Sequence, residues 1–229
     1  MVTDHKQFWE KKILAWEEGR YGPPSEGRRL LEDIANRSSA SLRFRLDITR
    51  QLLGPFVEGM RVVEVGCGSG LLAEDILAMG AVSYTGYDIA EAAVARARKR
   101  IEKKGIEGKT CFEARGVMDL PNFEADIVFS LGLLDWLNDE ELESLFRADG
   151  SAHYLHSIAE KRTSISQLLH RIYVHLAYGC RTGSYVPRYY CVAELEPLIR
   201  RYNPVDVKVF RHPRLSFGAL ITNLPIDGL

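Results

Sequence analysis

The segment spanning residues 62–70 constrains the fold of this chain more than any other, because an apolar run passes directly into a glycine-rich turn. The valines of Val62–Val65 form a short β-branched run that is typical of a buried parallel strand. Glycine then stands at every second position from Gly66 to Gly70, and glycine lets the backbone turn tightly and approach a ligand closely. The segment therefore predicts an open sheet with a ligand at the carboxyl end of its first strand.

Strand and helix patterns alternate after this turn. Short apolar runs predict seven strands, at Val62–Val65, Ser83–Tyr87, Lys109–Glu113, Ala125–Leu131, Ser151–Ile158, Val205–Phe210 and Ser216–Thr222. Helical spacing between these runs indicates covering helices, for example over Ala90–Lys104. The alternation predicts an α/β fold, a Rossmann-like sheet of seven mostly parallel strands with helices on both faces.

Two further regions decorate the predicted sheet. Residues 1–60 are expected to form an N-terminal helical cap, whose last two helices lie near Arg28–Ile34 and over Ser41–Leu53. Residues 61–229 are expected to form the ligand-binding domain, with a C-terminal helix-loop lid inserted at about 160–190. The lid combines an amphipathic helix with a loop rich in arginine, glycine and tyrosine.

The bulk properties exclude several functional classes. The net charge of −1 over 229 residues lacks the basic footprint of a nucleic-acid partner. No apolar run reaches membrane-spanning length, and no leader pattern opens the chain, so a cytoplasmic protein is predicted. The four cysteines fit no zinc spacing, and no acidic cluster follows the predicted fifth strand, so no metal is expected. The oligomeric state stays open.

A carboxylate completes the predicted ligand site. Asp88 ends the second strand, 18 residues after Gly70, where an acid can accept hydrogen bonds from both hydroxyls of a ribose. A dinucleotide such as NAD is one candidate ligand, but its fingerprint requires a third glycine or alanine where this chain has Leu71. Glu64 lies just before the turn and suits a ligand with an ammonium group better than a diphosphate. These features favour S-adenosylmethionine over NAD.

With these motifs the chain resembles the class I S-adenosylmethionine-dependent methyltransferases. The resemblance covers about residues 61–145 and includes the family's E-x-G-x-G-x-G motif, the acid after the second strand and the segment Val117–Pro121. It implies the cofactor S-adenosylmethionine, released as S-adenosylhomocysteine. The residues that it implies for cofactor binding are Glu64, Gly66, Cys67, Gly68, Gly70, Asp88, Ile89, Met118, Asp119 and Leu131.

A narrower resemblance concerns small-molecule methyltransferases found with bacterial polysaccharide biosynthesis. It is carried by Ser41–Arg45, Leu131–Asp135 and the pair Tyr189-Tyr190, and magnesium-protoporphyrin O-methyltransferases are a more distant likeness. It implies methyl transfer to a hydroxyl of a small molecule, with a sugar or glycan intermediate as the suggested acceptor. An N-methyltransferase and a non-catalytic S-adenosylmethionine-binding protein are the alternatives.

The acceptor half of the site is predicted from residue chemistry. Transfer to a neutral hydroxyl needs a base, and His156, near the carboxyl end of the predicted fifth strand, is the first candidate. Asp135 and Tyr190 are the other predicted catalytic residues. The predicted substrate-binding residues, which offer aromatic faces or guanidinium groups, are Trp9, Tyr21, Arg181, Arg188 and Tyr189.

Overall fold

The computed structural model describes residues 5–21, 30–150, 152–162, 167 and 187–226. The predicted lid, with Arg181, lies almost entirely outside the described residues. The described helices are α1 (His5–Tyr21), α2 (Leu30–Leu53), α3 (Ala73–Ala78), α4 (Glu91–Glu102), α5 (Asp139–Asp149) and α6 (Val192–Tyr202). The strands are β1 (Arg61–Val65), β2 (Ser83–Asp88), β3 (Thr110–Ala114), β4 (Ile127–Ser130), β5 (His153–Ala159), β6 (Lys208–Phe210) and β7 (Gly218–Thr222).

All seven strands join one sheet in the order β3-β2-β1-β4-β5-β7-β6. The first five strands are mutually parallel, and β7 runs antiparallel to both of its neighbours. This arrangement confirms the predicted seven-stranded, mostly parallel sheet. The strand order reverses at β1 and β4, the position where open α/β sheets bind ligands at their carboxyl ends.

The two faces of the sheet bury two separate apolar clusters. Side chains of α2, α3 and α4, such as Leu52, Ile76 and Ala97, pack on one face. Side chains of α5 and α6, such as Leu145 and Ile199, cover the other. Helices therefore cover both faces, as predicted. None of the described helices is long and apolar enough to cross a lipid bilayer.

The N-terminal region differs from the prediction in one respect. Two separate helices were expected near Arg28–Ile34 and over Ser41–Leu53, whereas Leu30–Leu53 is one continuous helix. The intervening residues contain neither proline nor glycine, so nothing in the sequence interrupts the backbone hydrogen bonds. Phe44 and Ile48 of α2 belong to the same apolar cluster as the central strands. The division of the chain at residue 60 stays a prediction.

Helix α1 crosses the carboxyl edge of the sheet. An apolar side chain and an acidic side chain both attach it to the start of α4. Its apolar residue Ile13 packs against Ala90 and Ala93 at the start of α4. Glu10 accepts hydrogen bonds from the backbone amides of Glu91 (2.6 Å) and Ala92 (2.9 Å). These amides belong to the first turn of α4 and lack acceptors within that helix, so Glu10 caps α4 from outside.

Candidate active site

The backbone amides of the glycine turn all donate to acceptors within the protein. Gly66 and Cys67 donate to the carbonyl of Tyr87 at 2.7 and 3.0 Å, and the amide of Gly70 donates to the carbonyl of Cys67. The amides of Gly68 and Ser69 donate to the side chains of Asp88 and Glu17, both at 2.8 Å. Carboxylates of the protein thus already accept from two of these amides. A pyrophosphate would have to displace a buried carboxylate here.

Asp88 is positioned by the backbone on both sides of it. Its Oδ2 accepts from Gly68 and its Oδ1 accepts from Ala90 at 2.9 Å. Burial raises the pKa of Asp88 to about 6, although both hydrogen bonds lower it. Each carboxylate oxygen accepts two hydrogen bonds readily, so both retain capacity for the hydroxyls of a ribose.

Two more acids lie beside Asp88. Glu64 of β1 is buried and accepts a hydrogen bond from the hydroxyl of Tyr84. Burial raises the pKa of Glu64 to about 8, and the charges of Asp88 and Glu17 raise it further. Within the described part of the chain, none of the three acids forms an ion pair with lysine or arginine. A cation bound beside these acids would lower their raised pKa values and favour their ionised forms, so the donor side fits a cationic ligand.

The glycines of the turn serve different purposes. A Cβ atom at Gly70 would lie 2.9 Å from the ring of Phe112, so that position is required for packing in the core. Gly68 has a φ of +53° and faces helix α1, where a Cβ atom would lie closer than 3.0 Å to Oε1 of Glu17. Of these two glycines, only Gly68 contacts the N-terminal helix.

Three of the residues implied for cofactor binding, Ile89, Met118 and Asp119, follow the carboxyl ends of β2 and β3. Ile89 and Asp119 both approach Gly116, with side-chain atoms 3.7 and 3.8 Å from the position of a Cβ atom there. Met118 is 55% exposed and points away from the apolar core. Cys67 is buried in the core, and Leu131 packs against the same apolar cluster. Cys67 and Leu131 are therefore part of the core behind the glycine turn, and their cofactor-binding role stays a prediction.

Arg45 of α2 reaches the carboxyl edge of the sheet, a position that no local sequence pattern indicates. Its guanidinium donates to Oγ of Ser157 and to the hydroxyl of Tyr21, both at 3.4 Å. The same hydroxyl of Ser157 accepts from the amide of Gly132 at 2.6 Å. Nε of Arg45 is buried without a hydrogen-bond partner among the described residues. A buried donor of this kind has the capacity to bind an anionic group.

Asp135 lies in the turn after β4, between the ends of β4 and β5. Its Oδ1 accepts from the amide of Ala159 at 2.7 Å, which fixes the orientation of the carboxylate. Burial raises the pKa of Asp135 to about 6, and the hydrogen bond from Ala159 and the charge of Arg45 lower it. The role predicted from sequence was catalytic, and this position at the carboxyl edge of the sheet is compatible with it.

His156 does not have the surroundings expected of a base. It is completely buried on the side of the sheet covered by α5, with Nε2 2.9 Å from Asp149 and Nδ1 2.9 Å from Ser130. Its ring stacks on Tyr154. Because alternate residues of a strand point to opposite faces, the neighbouring Ser157 points toward Arg45 instead. The geometry gives His156 a structural role and corrects the prediction of a base.

Tyr190 and Arg188 also have structural contacts. The hydroxyl of Tyr190 is buried and donates to the carbonyl of Leu134 at 2.9 Å, and burial raises its pKa. Arg188 pairs with Asp139 at 2.7 Å and donates to the carbonyl of Leu137 at 3.2 Å. Both side chains therefore hold the segment after β4 in place. This geometry does not fit the predicted catalytic role of Tyr190 or the predicted anion-binding role of Arg188.

Aromatic side chains from α1 meet the segment after β4. The ring of Trp9 lies 5.0 Å from that of Trp136 and 6.4 Å from that of Trp16, in both cases nearly perpendicular. Trp16 in turn meets Tyr21 at 5.8 Å. Such edge-to-face contacts are a favourable geometry for aromatic rings. The predicted substrate residues Trp9 and Tyr21 thus lie at one aromatic surface, whereas Tyr189 lies apart, near Phe217.

Comparison with known proteins supports the class of fold. Residues 62–149 match the family model described as a methyltransferase domain. The ubiquinone biosynthesis O-methyltransferase of Alkalilimnicola ehrlichii is 38% identical over 98 residues, which make up 42% of this chain and 38% of that protein. A ribosomal protein methyltransferase of Alteromonas mediterranea is 35% identical over 81 residues, covering 35% of this chain and 27% of that protein. These matches span less than half the length of each curated relative.

A solved structure is similar over nearly the whole chain. The magnesium protoporphyrin IX methyltransferase of Synechocystis PCC 6803, determined with bound S-adenosylhomocysteine, superposes with a TM-score of 0.68. The alignment covers 95% of this chain and 96% of that one, at 16% sequence identity. At this identity the likeness establishes the shared fold.

Proposed function

We propose that this chain is a class I S-adenosylmethionine-dependent methyltransferase that transfers a methyl group to an oxygen atom of a small molecule, because residues 62–149 match the model of a methyltransferase domain and the fold is that of a solved methyltransferase. The observation that carries the proposal is the set of three buried acids, Glu17, Glu64 and Asp88, at the glycine turn. A cationic donor would favour the ionised forms of these acids, whereas the diphosphate of a nicotinamide dinucleotide would raise their pKa values further.

The residues present fit the proposed methyl donor. When bound, S-adenosylmethionine supplies a methyl group activated by a sulfonium. Asp88 would accept hydrogen bonds from the ribose hydroxyls, while Ile89 and Asp119 would flank the adenine. Arg45 would pair with the carboxylate of the methionine part, because its Nε is buried without a partner among the described residues. The turn and Asp88 hold these groups in a fixed geometry, which is the main requirement for an in-line displacement.

Asp135 is the residue that we propose as the base for an oxygen acceptor. A carboxyl group with a pKa of about 6 is ionised at neutral pH and is still basic enough to take a proton from a hydroxyl. The hydrogen bond from Ala159 holds one oxygen of the carboxylate, which leaves Oδ2 for the acceptor. Asp135 thus takes the role of general base that the sequence had suggested for His156.

The acceptor itself is proposed at the level of chemical class. A sugar or glycan intermediate, suggested by the sequence, stays a prediction. The aromatic surface of Trp9, Trp16 and Trp136 would suit any acceptor with a flat or ring-shaped apolar face, including a sugar ring or a phenol. The relative from ubiquinone biosynthesis, an O-methyltransferase by name, supports an oxygen acceptor. An N-methyltransferase is the alternative, because a neutral amine places less demand on a base.

Binding and turnover test the proposal separately. Calorimetric titration with S-adenosylmethionine and with NAD should show binding of the first only. A screen with labelled S-adenosylmethionine against sugars, nucleotide sugars, phenols and amines should then identify the acceptor. Binding of NAD instead would overturn the proposed donor, and transfer to amines alone would favour the N-methyltransferase. Binding without turnover on any acceptor class would favour the non-catalytic alternative.

A variant tests the proposed base. Asp135→Asn should lower kcat by about 10²- to 10⁴-fold, the usual contribution of general base catalysis, while the affinity for S-adenosylmethionine stays near that of the wild type. The wild-type rate should rise with pH and level off above about pH 6. Asp206→Asn removes an exposed carboxylate remote from the site and should leave the rate unchanged. Full activity of Asp135→Asn would show that this residue is not the base.

A further inference from the structure

One side of helix α1 is built to meet the ligand site. Glu10, Ile13, Glu17 and Tyr21 recur at intervals of three or four residues, a spacing that places them on the same side of a helix. Glu10 caps α4, Ile13 packs at the start of that helix, and Tyr21 accepts a hydrogen bond from Arg45. Glu17 therefore lies in the middle of a helix face whose other three residues contact α2 or the start of α4.

Glu17 is a buried acid that lies close to two others, Glu64 and Asp88. It is 8% exposed, and its Oε1 accepts from the amide of Ser69 at 2.8 Å. Its charge raises the pKa of both Glu64 and Asp88, so the three carboxylates lie close enough to repel one another. Among the described residues, no hydrogen-bond donor reaches Oε2 of Glu17. Repulsion between neighbouring carboxylates is relieved when a cation binds beside them.

The neighbouring cations are directed elsewhere. Arg45 donates to Ser157 and Tyr21, and Arg100 donates to the carbonyl and the hydroxyl of Ser69 from the side of α4. Neither guanidinium forms a hydrogen bond with the three acids in the described structure. The charge of Arg45 lowers the pKa of Glu64 from a distance, and a cationic ligand would add to this effect at the three acids.

We propose that Glu17 is a binding residue for the donor, and that its carboxylate accepts a hydrogen bond from the ammonium group of the methionine part. This inference rests on the proposed function, because it takes S-adenosylmethionine as the ligand of the glycine turn. Helix α1 is then a component of the donor site as well as its cover. Donor binding and the docking of α1 favour each other, since the same side chain takes part in both.

Glu17→Gln separates binding of a cation from docking of the helix. The glutamine keeps a side-chain oxygen that can accept from Ser69, but it carries no charge. Glu18→Gln is the matched control, because Glu18 is the next residue of α1 and pairs with Arg96 at the surface. Circular dichroism of both variants should match that of the wild type.

Three ligands identify the group that Glu17 binds. S-adenosylmethionine carries a sulfonium and an ammonium, S-adenosylhomocysteine carries only the ammonium, and 5′-methylthioadenosine carries neither. Calorimetry should show that Glu17→Gln weakens binding of the first two at least tenfold and that of methylthioadenosine less than twofold. Glu18→Gln should change none of the three affinities.

The other outcomes each overturn a distinct statement. Unchanged affinities for all three ligands would show that Glu17 only docks the helix, and equal losses for all three would show a general effect on the site. A loss for S-adenosylmethionine alone would assign Glu17 to the sulfonium instead of the ammonium. Failure of the wild-type protein to bind S-adenosylmethionine would overturn the proposed function itself, and this inference with it.

Discussion

Replacing Gly68 with alanine tests whether helix α1 is docked on the glycine turn. Gly68 has a φ of +53°, and a Cβ atom there would lie closer than 3.0 Å to Oε1 of Glu17. The methyl group therefore has two separate costs. One is backbone strain that any left-handed alanine would have, and the other is displacement of the Glu17 carboxylate from the amide of Ser69.

The magnitudes of the two costs can be estimated separately. A left-handed conformation costs an L-residue about 1–2 kcal/mol. A hydrogen bond to a charged group contributes about 1.5–3 kcal/mol to stability, and Glu17 loses its bond to Ser69 when the methyl group displaces it. Gly68→Ala should therefore lower the free energy of unfolding by about 2.5–5 kcal/mol in the wild-type background. In a Glu17→Ala background only the backbone strain remains, about 1–2 kcal/mol.

Urea unfolding followed by circular dichroism measures both differences. Gly59→Ala is the matched control, because Gly59 has a φ of +75° and no described atom lies within 4 Å of the added Cβ position. It should cost about 1–2 kcal/mol in both backgrounds. If Gly68→Ala costs the same with and without Glu17, the two residues do not interact and the docked position of α1 is wrong.

Three further predictions concern buried acids and their partners. Asp88→Asn should weaken S-adenosylmethionine binding at least tenfold by calorimetry, because the amide cannot accept at both of its polar atoms; unchanged affinity would refute the ribose assignment. His156→Ala should lower the free energy of unfolding by about 3–5 kcal/mol, because it leaves Asp149 buried without its partner. The methyl-transfer rate per folded molecule should be unchanged. A large loss of rate in folded protein would restore His156 as a base. Glu64→Gln should raise the melting temperature more at pH 8 than at pH 5. The folded pKa of Glu64 is raised to about 8, so the wild type loses stability between the unfolded pKa near 4.5 and pH 8, and a uniform effect at both pH values would contradict this.

The donor half of the site could be predicted from the sequence because its parts are local. The strand, the glycine turn and the acid after the next strand lie within residues 62–88, and their separation along the chain determines their separation in space. Parallel strands joined by a right-handed crossover bring Gly68 and Asp88 to the same edge of the sheet. The spacing therefore predicted that both residues belong to one ligand site, and in the structure the amide of Gly68 donates to Asp88 at 2.8 Å.

The acceptor half could not be predicted in this way, as His156 illustrates. The strand itself was recognised, but adjacent residues of a strand point to opposite faces of a sheet. The position of α5 decides that His156 faces the buried cluster with Asp149 and that Ser157 faces Arg45. A pattern in one strand carries no information about which helix covers which face.

The sequence by itself determined the sheet, the turn and the negative character of the donor site, since each depends on residues close together in the chain. Only the tertiary structure decided which groups complete that site. Glu17 lies 52 positions before Ser69, and Arg45 lies 112 positions before Ser157, so no local pattern connects them. They meet because α1 and α2 pack against the carboxyl edge of the sheet, and such packing follows from the shapes of distant surfaces and not from the order of neighbouring residues.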